Sequence, residues 1–165
     1  MASLNIFDQL TVLAQIGATL LGFVAVFLVI VNRSRKFGEA DRHFLQALVL
    51  SGFFVIVMSL VPGALSYHMP VERVWEVSLA IGVIVGAAIA AFQLKIQLSM
   101  SKEEAARIHI AWHLIAWGMG TVILLFALAG LFDIANDEAM LLASLSLALV
   151  LCLWSFVSLV FRKFF

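Results

Sequence analysis

Two histidines and a tryptophan lie at four-residue intervals in the second half of the chain: His109, His113 and Trp117. Residues four apart share one face of a helix, so these three side chains would lie together. Histidine changes charge near neutral pH more readily than other side chains, which makes pH sensing or gating one hypothesis. Two histidines could also ligate a metal or haem, although no carboxylate nearby in sequence completes the set. The third alternative is an ordinary histidine pair beside tryptophans at the membrane interface.

The spacing His-x-x-x-Trp from His113 to Trp117 resembles the short gating motif of viral proton channels. In that family the histidine carries protons and the tryptophan gates them. The resemblance therefore implies a proton-handling role for these two residues. It covers five of the 165 residues, and the flanking helix does not otherwise match the family.

A second pattern places small residues at every fourth position of one predicted helix. These residues are Ser78, Gly82, Gly86 and Ala90. Small side chains at this spacing let two helices approach closely, so the pattern predicts a helix-packing interface, within one chain or between subunits. Gln93 and Gln97 continue the same face, and their amides could replace part of an ion's hydration shell in a narrow pore. The sequence is compatible with either role for this face, helix packing or pore lining.

Polar residues also form a stripe on the first predicted helix, at Thr11, Gln15 and Thr19. An amide inside the bilayer is costly to expose to lipid, so this stripe should face protein or water. Interhelical hydrogen bonding is one interpretation. Pore lining by Gln15 and Thr19 is the other.

Formally charged side chains are missing from the centre of every long apolar run. Such groups mark proton relays and substrate sites in transporters, and the sequence also lacks the motifs of hydrolases, phosphate loops and zinc proteases. The single cysteine, Cys152, lies in an apolar run and cannot form an internal disulfide. We therefore predict a protein that is not an enzyme and that holds no metal and no cofactor.

The helices that position these residues can be predicted from the composition of the chain and the length of its apolar stretches. Hydrophobic residues make up 64% and charged residues 12% of the chain, against roughly 45–50% and 25% in a soluble domain. Five stretches are long and apolar enough to cross a bilayer: 9–31, 44–66, 74–97, 108–132 and 139–161. The predicted fold is all-α, a polytopic membrane bundle of about five transmembrane helices that forms a single domain, 1–165.

Basic residues give the predicted orientation. Nine of the ten Lys and Arg side chains fall on one side of a five-span arrangement, and only Arg73 falls on the other. Cytoplasmic loops carry this excess, so the N-terminus is predicted outside and the C-terminus in the cytoplasm. Four basic residues near the first loop are predicted to contact anionic lipid headgroups. These are Arg33, Arg35, Lys36 and Arg42.

Two functions fit these patterns. The first is a small oligomeric channel for cations or protons, lined by the third or first helix and sensitive to pH through the fourth. The second is a non-catalytic subunit that packs against a membrane protein partner, and a haem- or metal-binding protein is a weaker alternative. We expect membrane lipids and a second copy of the chain as partners, no nucleic acid, and a multi-pass location in a cell membrane, with the bacterial inner membrane preferred.

Overall fold

A computed structural model of the protein describes residues 5–32, 38–106, 108, 110–132 and 134–164. Five long helices account for most of this part of the chain. They are α1 (Ile6–Asn32), α2 (Glu39–Leu65), α3 (Val71–Ser99), α5 (Ile110–Leu131) and α6 (Asp137–Phe164). A short helix, α4 (Lys102–Ala106), lies between α3 and α5.

Each long helix is apolar and long enough to cross a membrane. The 27 residues of α1 extend for roughly 40 Å at about 1.5 Å per residue, which exceeds the roughly 30 Å hydrocarbon core of a bilayer. The prediction of an all-α bundle with five membrane spans is confirmed. The orientation of its termini stays a prediction.

Local sequence signals explain several helix ends. Asn136 precedes α6, and its side-chain oxygen accepts a hydrogen bond from the Ala139 backbone N–H at 2.9 Å, as expected of an N-cap. Pro62 lies inside α2, which ends three residues later at Leu65. Pro70 directly precedes α3 as its N-cap residue.

The segment before the fourth span differs from expectation in its local structure. Ser101 to Glu104 predicts a cap that opens this helix, but residues 102–106 form α4 by themselves and α5 begins at Ile110. The backbone N–H of Ser101 donates to the Glu39 carboxylate at 3.0 Å. This long-range bond joins the start of α4 to the start of α2, so α4 lies against the bundle rather than continuing α5.

Helices α2 and α6 form the middle of the bundle. Helix α2 contacts α1, α3 and α6, while α6 contacts α1, α3 and α5. Helix α1 therefore covers one side of the central pair, and α3 with α5 covers the other. Below, the N-terminal end of the bundle is the end where α1 begins, and the C-terminal end is the end where α6 finishes.

Apolar packing is concentrated at the two ends. At the N-terminal end, the starts of α1, α3 and α6 meet the ends of α2 and α5 in one buried cluster, whose members include Leu10, Met58, Leu79 and Leu141. At the C-terminal end, Phe44, Trp112 and Leu159 form the centre of a second cluster. A smaller cluster around Leu48 and Cys152 joins α2 to α6 between them.

Gly130 allows α5 to approach the N-terminal ends of α3 and α6. A Cβ atom at this position would lie 2.7 Å from Leu79 Cδ1 and 3.0 Å from Met140 Cβ. Such distances require neighbouring atoms to move. We predict that Gly130→Ala lowers the free energy of unfolding by about 1–3 kcal/mol, the usual cost of overpacking a core.

Thermal unfolding of the purified protein in detergent measures this effect. Gly118→Ala is the matched control. Gly118 lies on the same helix as Gly130, but a Cβ there meets no atom within 4 Å. Alanine should be neutral or slightly stabilising at Gly118, since it favours helix more than glycine does. Equal stability of the two variants would contradict the close packing at Gly130.

Candidate functional site

A cavity of about 280 Å³ lies between α2, α3, α5 and α6. Its walls are mostly apolar, and none of its described lining residues carries a formal charge. The lining residues from α2 and α6 are buried or half-buried, whereas several from α3 and α5 are exposed, among them Ala87, Ala90, Thr121 and Leu124. The cavity therefore opens along the side formed by α3 and α5, within the membrane-spanning part of the bundle.

The cavity is closed towards the N-terminal end of the bundle. Met58, Leu79 and Leu141 line it there, and all three belong to the buried apolar cluster. Each is at most 3% exposed, so all three are packed within this cluster. An apolar constriction of this kind excludes water and ions unless the helices move apart.

The opposite end of the cavity is polar. Five nitrogen-bearing side chains line it from three helices: His43, Gln93, Gln97, Trp112 and Trp117. The cavity thus runs from an apolar closed end to a polar end formed by α2, α3 and α5.

Gln97 connects α3 to α5 through two hydrogen bonds. The Trp117 indole N–H donates to Gln97 Oε1 at 3.2 Å, and Gln97 Nε2 lies 2.8 Å from His113 Nδ1. An indole N–H can only donate, so it fixes the Gln97 oxygen on its side and leaves the amide NH₂ to donate to His113. His113 Nδ1 is therefore an acceptor, and the neutral ring carries its proton on Nε2. We call these three residues the Gln97 triad.

An aromatic cluster holds His43 at the polar end. The Trp112 ring lies 4.4 Å from Phe44, 5.4 Å from His43 and 5.4 Å from His113, centroid to centroid, in edge-to-face arrangements. Such contacts restrict the rings to a narrow range of orientations. The cluster thereby fixes His43 of α2 close to the Gln97 triad of α3 and α5.

Three of the polar side chains have buried atoms without a partner. His43 Nδ1, Trp112 Nε1 and both amide atoms of Gln93 form no hydrogen bond within the described residues. His43 is 3% exposed and Trp112 is 7% exposed. A buried polar atom without a partner costs about 1–3 kcal/mol, so three such groups around one cavity suggest an occupant that bonds to them.

Within the part of the chain that the structure describes, no three His, Cys, Asp or Glu side chains come together as metal ligands. Cys152 is buried, and its thiol lies 3.5 Å from the Leu48 carbonyl oxygen, to which it donates. No protein-family model, no curated protein and no solved structure matches this chain.

The residues predicted for pore lining and gating separate into two groups. Gln93, Gln97 and Trp117 line the cavity, and His113 is bonded to Gln97 beside it. Gln15 and Thr19 are exposed on α1, and no described residue of this helix lines the cavity. The Thr19 hydroxyl donates to the backbone carbonyl of Gln15 at 2.8 Å. His109 lies outside the described residues.

The stripe of small residues follows the face of α3 that meets α2. Ser78 is fully buried, a Cβ at Gly82 would lie 3.3 Å from Met58 Cε, and one at Gly86 would lie 3.9 Å from Phe54. Gly82, Gly86 and Ala90 also line the cavity. Small residues therefore leave space between α2 and α3, and this space becomes the cavity where the helices diverge.

The basic cluster is only partly described. Arg42 is exposed in the first turns of α2. Arg33, Arg35 and Lys36 lie outside the described residues, so their contact with lipid headgroups stays a prediction.

His43 lines the cavity but was not among the residues predicted for pore lining or pH sensing. Its signal was present, since His43, Ala47 and Ser51 recur every four residues and all line the cavity. The histidine directly follows two charged residues, Asp41 and Arg42, and so resembled the end of a loop.

Proposed function

We propose that this chain is a small, non-catalytic membrane channel that passes protons or other cations through the cavity between α2, α3, α5 and α6. The observation that supports it best is the Gln97 triad, because residues suited to pore lining and to gating meet at one end of the same cavity. Amide and imidazole groups can replace part of an ion's hydration shell. The proposal places this end at the cytoplasmic side, following the predicted orientation.

The proposed pathway has two barriers. At the N-terminal end Met58, Leu79 and Leu141 keep the cavity apolar and closed, so conduction requires these helices to separate and admit water. At the polar end the Gln97 triad joins α3 to α5. Opening therefore involves movement of α3 relative to its neighbours.

His113 supplies a proton-dependent element in this mechanism. A doubly protonated imidazole has N–H groups at both nitrogens and cannot accept a bond from the Gln97 amide. Turning the amide to present its oxygen to His113 would abandon the bond from Trp117. Protonation of His113 would thus break one of the two bonds that hold the triad, which favours opening between α3 and α5.

The proposed assembly is a symmetric homo-oligomer. Gln15 and Thr19 are exposed on α1, a helix within the bilayer, where an amide is costly next to lipid. A second copy of the chain, packed against α1, would give these groups a polar partner. A bacterial inner membrane is the location we propose.

Flux into proteoliposomes that contain only the purified chain tests the proposal. We expect proton or potassium flux above that of empty liposomes, with sodium and chloride gradients tested separately. The reason is that the chain itself provides the cavity, its polar end and its gate. Absence of flux from folded protein, across a range of pH and voltage, would contradict the channel.

Gln93→Leu locates the pathway in the same assay, because Gln93 lines the cavity and does not belong to the Gln97 triad. Loss of the amide should reduce flux roughly tenfold, if the ion loses an interaction of about 1.4 kcal/mol in passing. Gln46→Leu is the matched control, because Gln46 is an exposed amide on α2 that does not line the cavity. Equal flux in both variants would remove Gln93 from the pathway.

A second candidate is an accessory subunit of a larger membrane complex. The exposed polar stripe on α1 favours it, since a different membrane protein could cover Gln15 and Thr19 as well as a second copy could. The two candidates differ in composition after mild purification. An accessory subunit should retain a partner in a fixed ratio, whereas the channel should form an assembly of this chain alone.

A further inference from the structure

We propose that the cavity binds a neutral, carbonyl-bearing amphipathic molecule from the bilayer, with the carbonyl head placed among His43, Gln93 and Trp112. This inference goes beyond conduction, because binding requires no open pathway. It rests on the unpartnered polar atoms, on the shape of the cavity and on the position of its opening.

The unpartnered atoms define the head of the molecule. Trp112 Nε1 can only donate a hydrogen bond, and the Gln93 amide nitrogen is also a donor. His43 Nδ1 and Gln93 Oε1 are also buried without a hydrogen-bond partner within the described residues. A carbonyl oxygen can accept from either N–H donor, so it suits this end of the cavity better than an apolar group does.

The hydroxyl groups of the cavity are already engaged. Ser51, Thr121 and Ser155 donate to backbone carbonyls of their own helices, at 2.7, 2.8 and 3.0 Å. Ser144 donates across to the Ile123 carbonyl at 3.3 Å. Recognition by N–H donors is therefore concentrated at the polar end, and the remaining walls suit a hydrocarbon body.

Charge and volume restrict the molecule further. The lining residues bear no formal charge, so an anionic or cationic head would be left without a counter-ion. A cavity of about 150 Å³ holds one benzene molecule. The 280 Å³ here accommodates a ring or ester head together with several methylene groups.

The opening determines where the molecule comes from. It lies along α3 and α5, where the lining residues Ala87, Ala90 and Leu124 are exposed. These residues are within membrane-spanning helices and would face acyl chains. The source is therefore the bilayer, either a membrane quinone with ring carbonyls or a glycerolipid with an ester carbonyl.

Native mass spectrometry of the purified full-length chain tests this inference with three probes. Decylubiquinone carries ring carbonyls, monoolein carries an ester carbonyl, and decylbenzene has a ring and a tail without a carbonyl. We expect one molecule of decylubiquinone or monoolein per chain, bound roughly tenfold more tightly than decylbenzene. The stronger of the two carbonyl probes identifies the source. Equal or stronger binding of decylbenzene would overturn the proposal.

Two matched pairs of variants locate the site. Gly120→Leu should abolish binding, because Gly120 lines the cavity and a Cβ there meets no atom within 4 Å. Gly118→Leu, on the same helix but outside the cavity, should bind normally. Trp112→Phe retains a ring but removes the N–H and should weaken binding roughly two- to tenfold.

Trp154→Phe is the control for the tryptophan variant. Trp154 also has a buried N–H without a partner within the described residues, but it does not line the cavity. Normal binding by Gly120→Leu, or equal weakening by both tryptophan variants, would overturn the proposal. Saturable binding without ion flux would leave the inference standing and contradict the channel, and flux without binding would do the reverse.

Discussion

Proteoliposomes that contain Gly120→Leu are expected to pass no more ions than empty liposomes. Gly120 lines the cavity from α5, and a Cβ atom added there would enter open space. The rest of a leucine side chain would then occupy the path between the polar end and the apolar constriction. Bulk, rather than any change in charge or hydrogen bonding, is what this substitution introduces.

Gly118→Leu provides the comparison. Gly118 lies two residues away on α5, is exposed and has no atom within 4 Å of an added Cβ, but it does not line the cavity. Both variants replace a helical glycine by leucine, so effects on helix propensity cancel between them. We expect wild-type flux from Gly118→Leu at equal reconstitution. Wild-type flux from Gly120→Leu would mean that ions do not cross through this cavity.

The second large effect concerns pH. Flux through the wild-type chain is expected to rise as pH falls from about 8 to about 4, because acidification protonates histidine. The cause is loss of the bond between Gln97 Nε2 and His113 Nδ1, which are 2.8 Å apart when His113 accepts. His113→Gln should give flux that hardly changes over this range, because an amide does not titrate.

The other histidines test whether His113 acts alone. His68→Gln should keep the wild-type pH profile, since His68 is exposed at the opposite end of the bundle. His43 also contacts the Trp112 ring, with ring centroids 5.4 Å apart, and lines the same cavity. A pH profile unchanged by His113→Gln would assign any pH response to another group and leave His113 as a packing residue.

These experiments distinguish ion conduction through the cavity from binding of an amphipathic molecule in it. Flux and its pH dependence concern movement through the cavity, whereas probe binding concerns its occupancy. A bound amphipathic molecule would take the space that an ion needs, so a protein with both properties should show flux that decreases as the probe is added. The same glycine pair, Gly118 and Gly120, reports on both measurements.

Much of the fold was predictable because it depends on the bilayer. A span of about 20 residues without charges must be a helix there, since backbone groups have no water to bond with. The five spans are therefore visible in the positions of the charged residues. Asn136 could likewise be recognised as a cap, because capping requires only neighbouring residues.

Parts of the site were also predictable for local reasons. The four-residue spacing of Gln93 and Gln97, and of His113 and Trp117, places each pair on a face of its own helix. Spacing along one helix contains no information about which helix it will meet. The sequence therefore left both α1 and α3 as candidates for pore lining, whereas among the described residues α3 lines the cavity and α1 does not.

By itself, the sequence determined the membrane class, the number of spans and the polar faces of single helices, because hydropathy and helical periodicity act over a few turns. Only the tertiary structure decided that Gln97 meets His113 and Trp117, that His43 joins them, and that Gly130 must stay small. Those facts depend on how α2, α3, α5 and α6 pack. Packing is set by the fit of many side chains from distant segments at once, which no local pattern specifies.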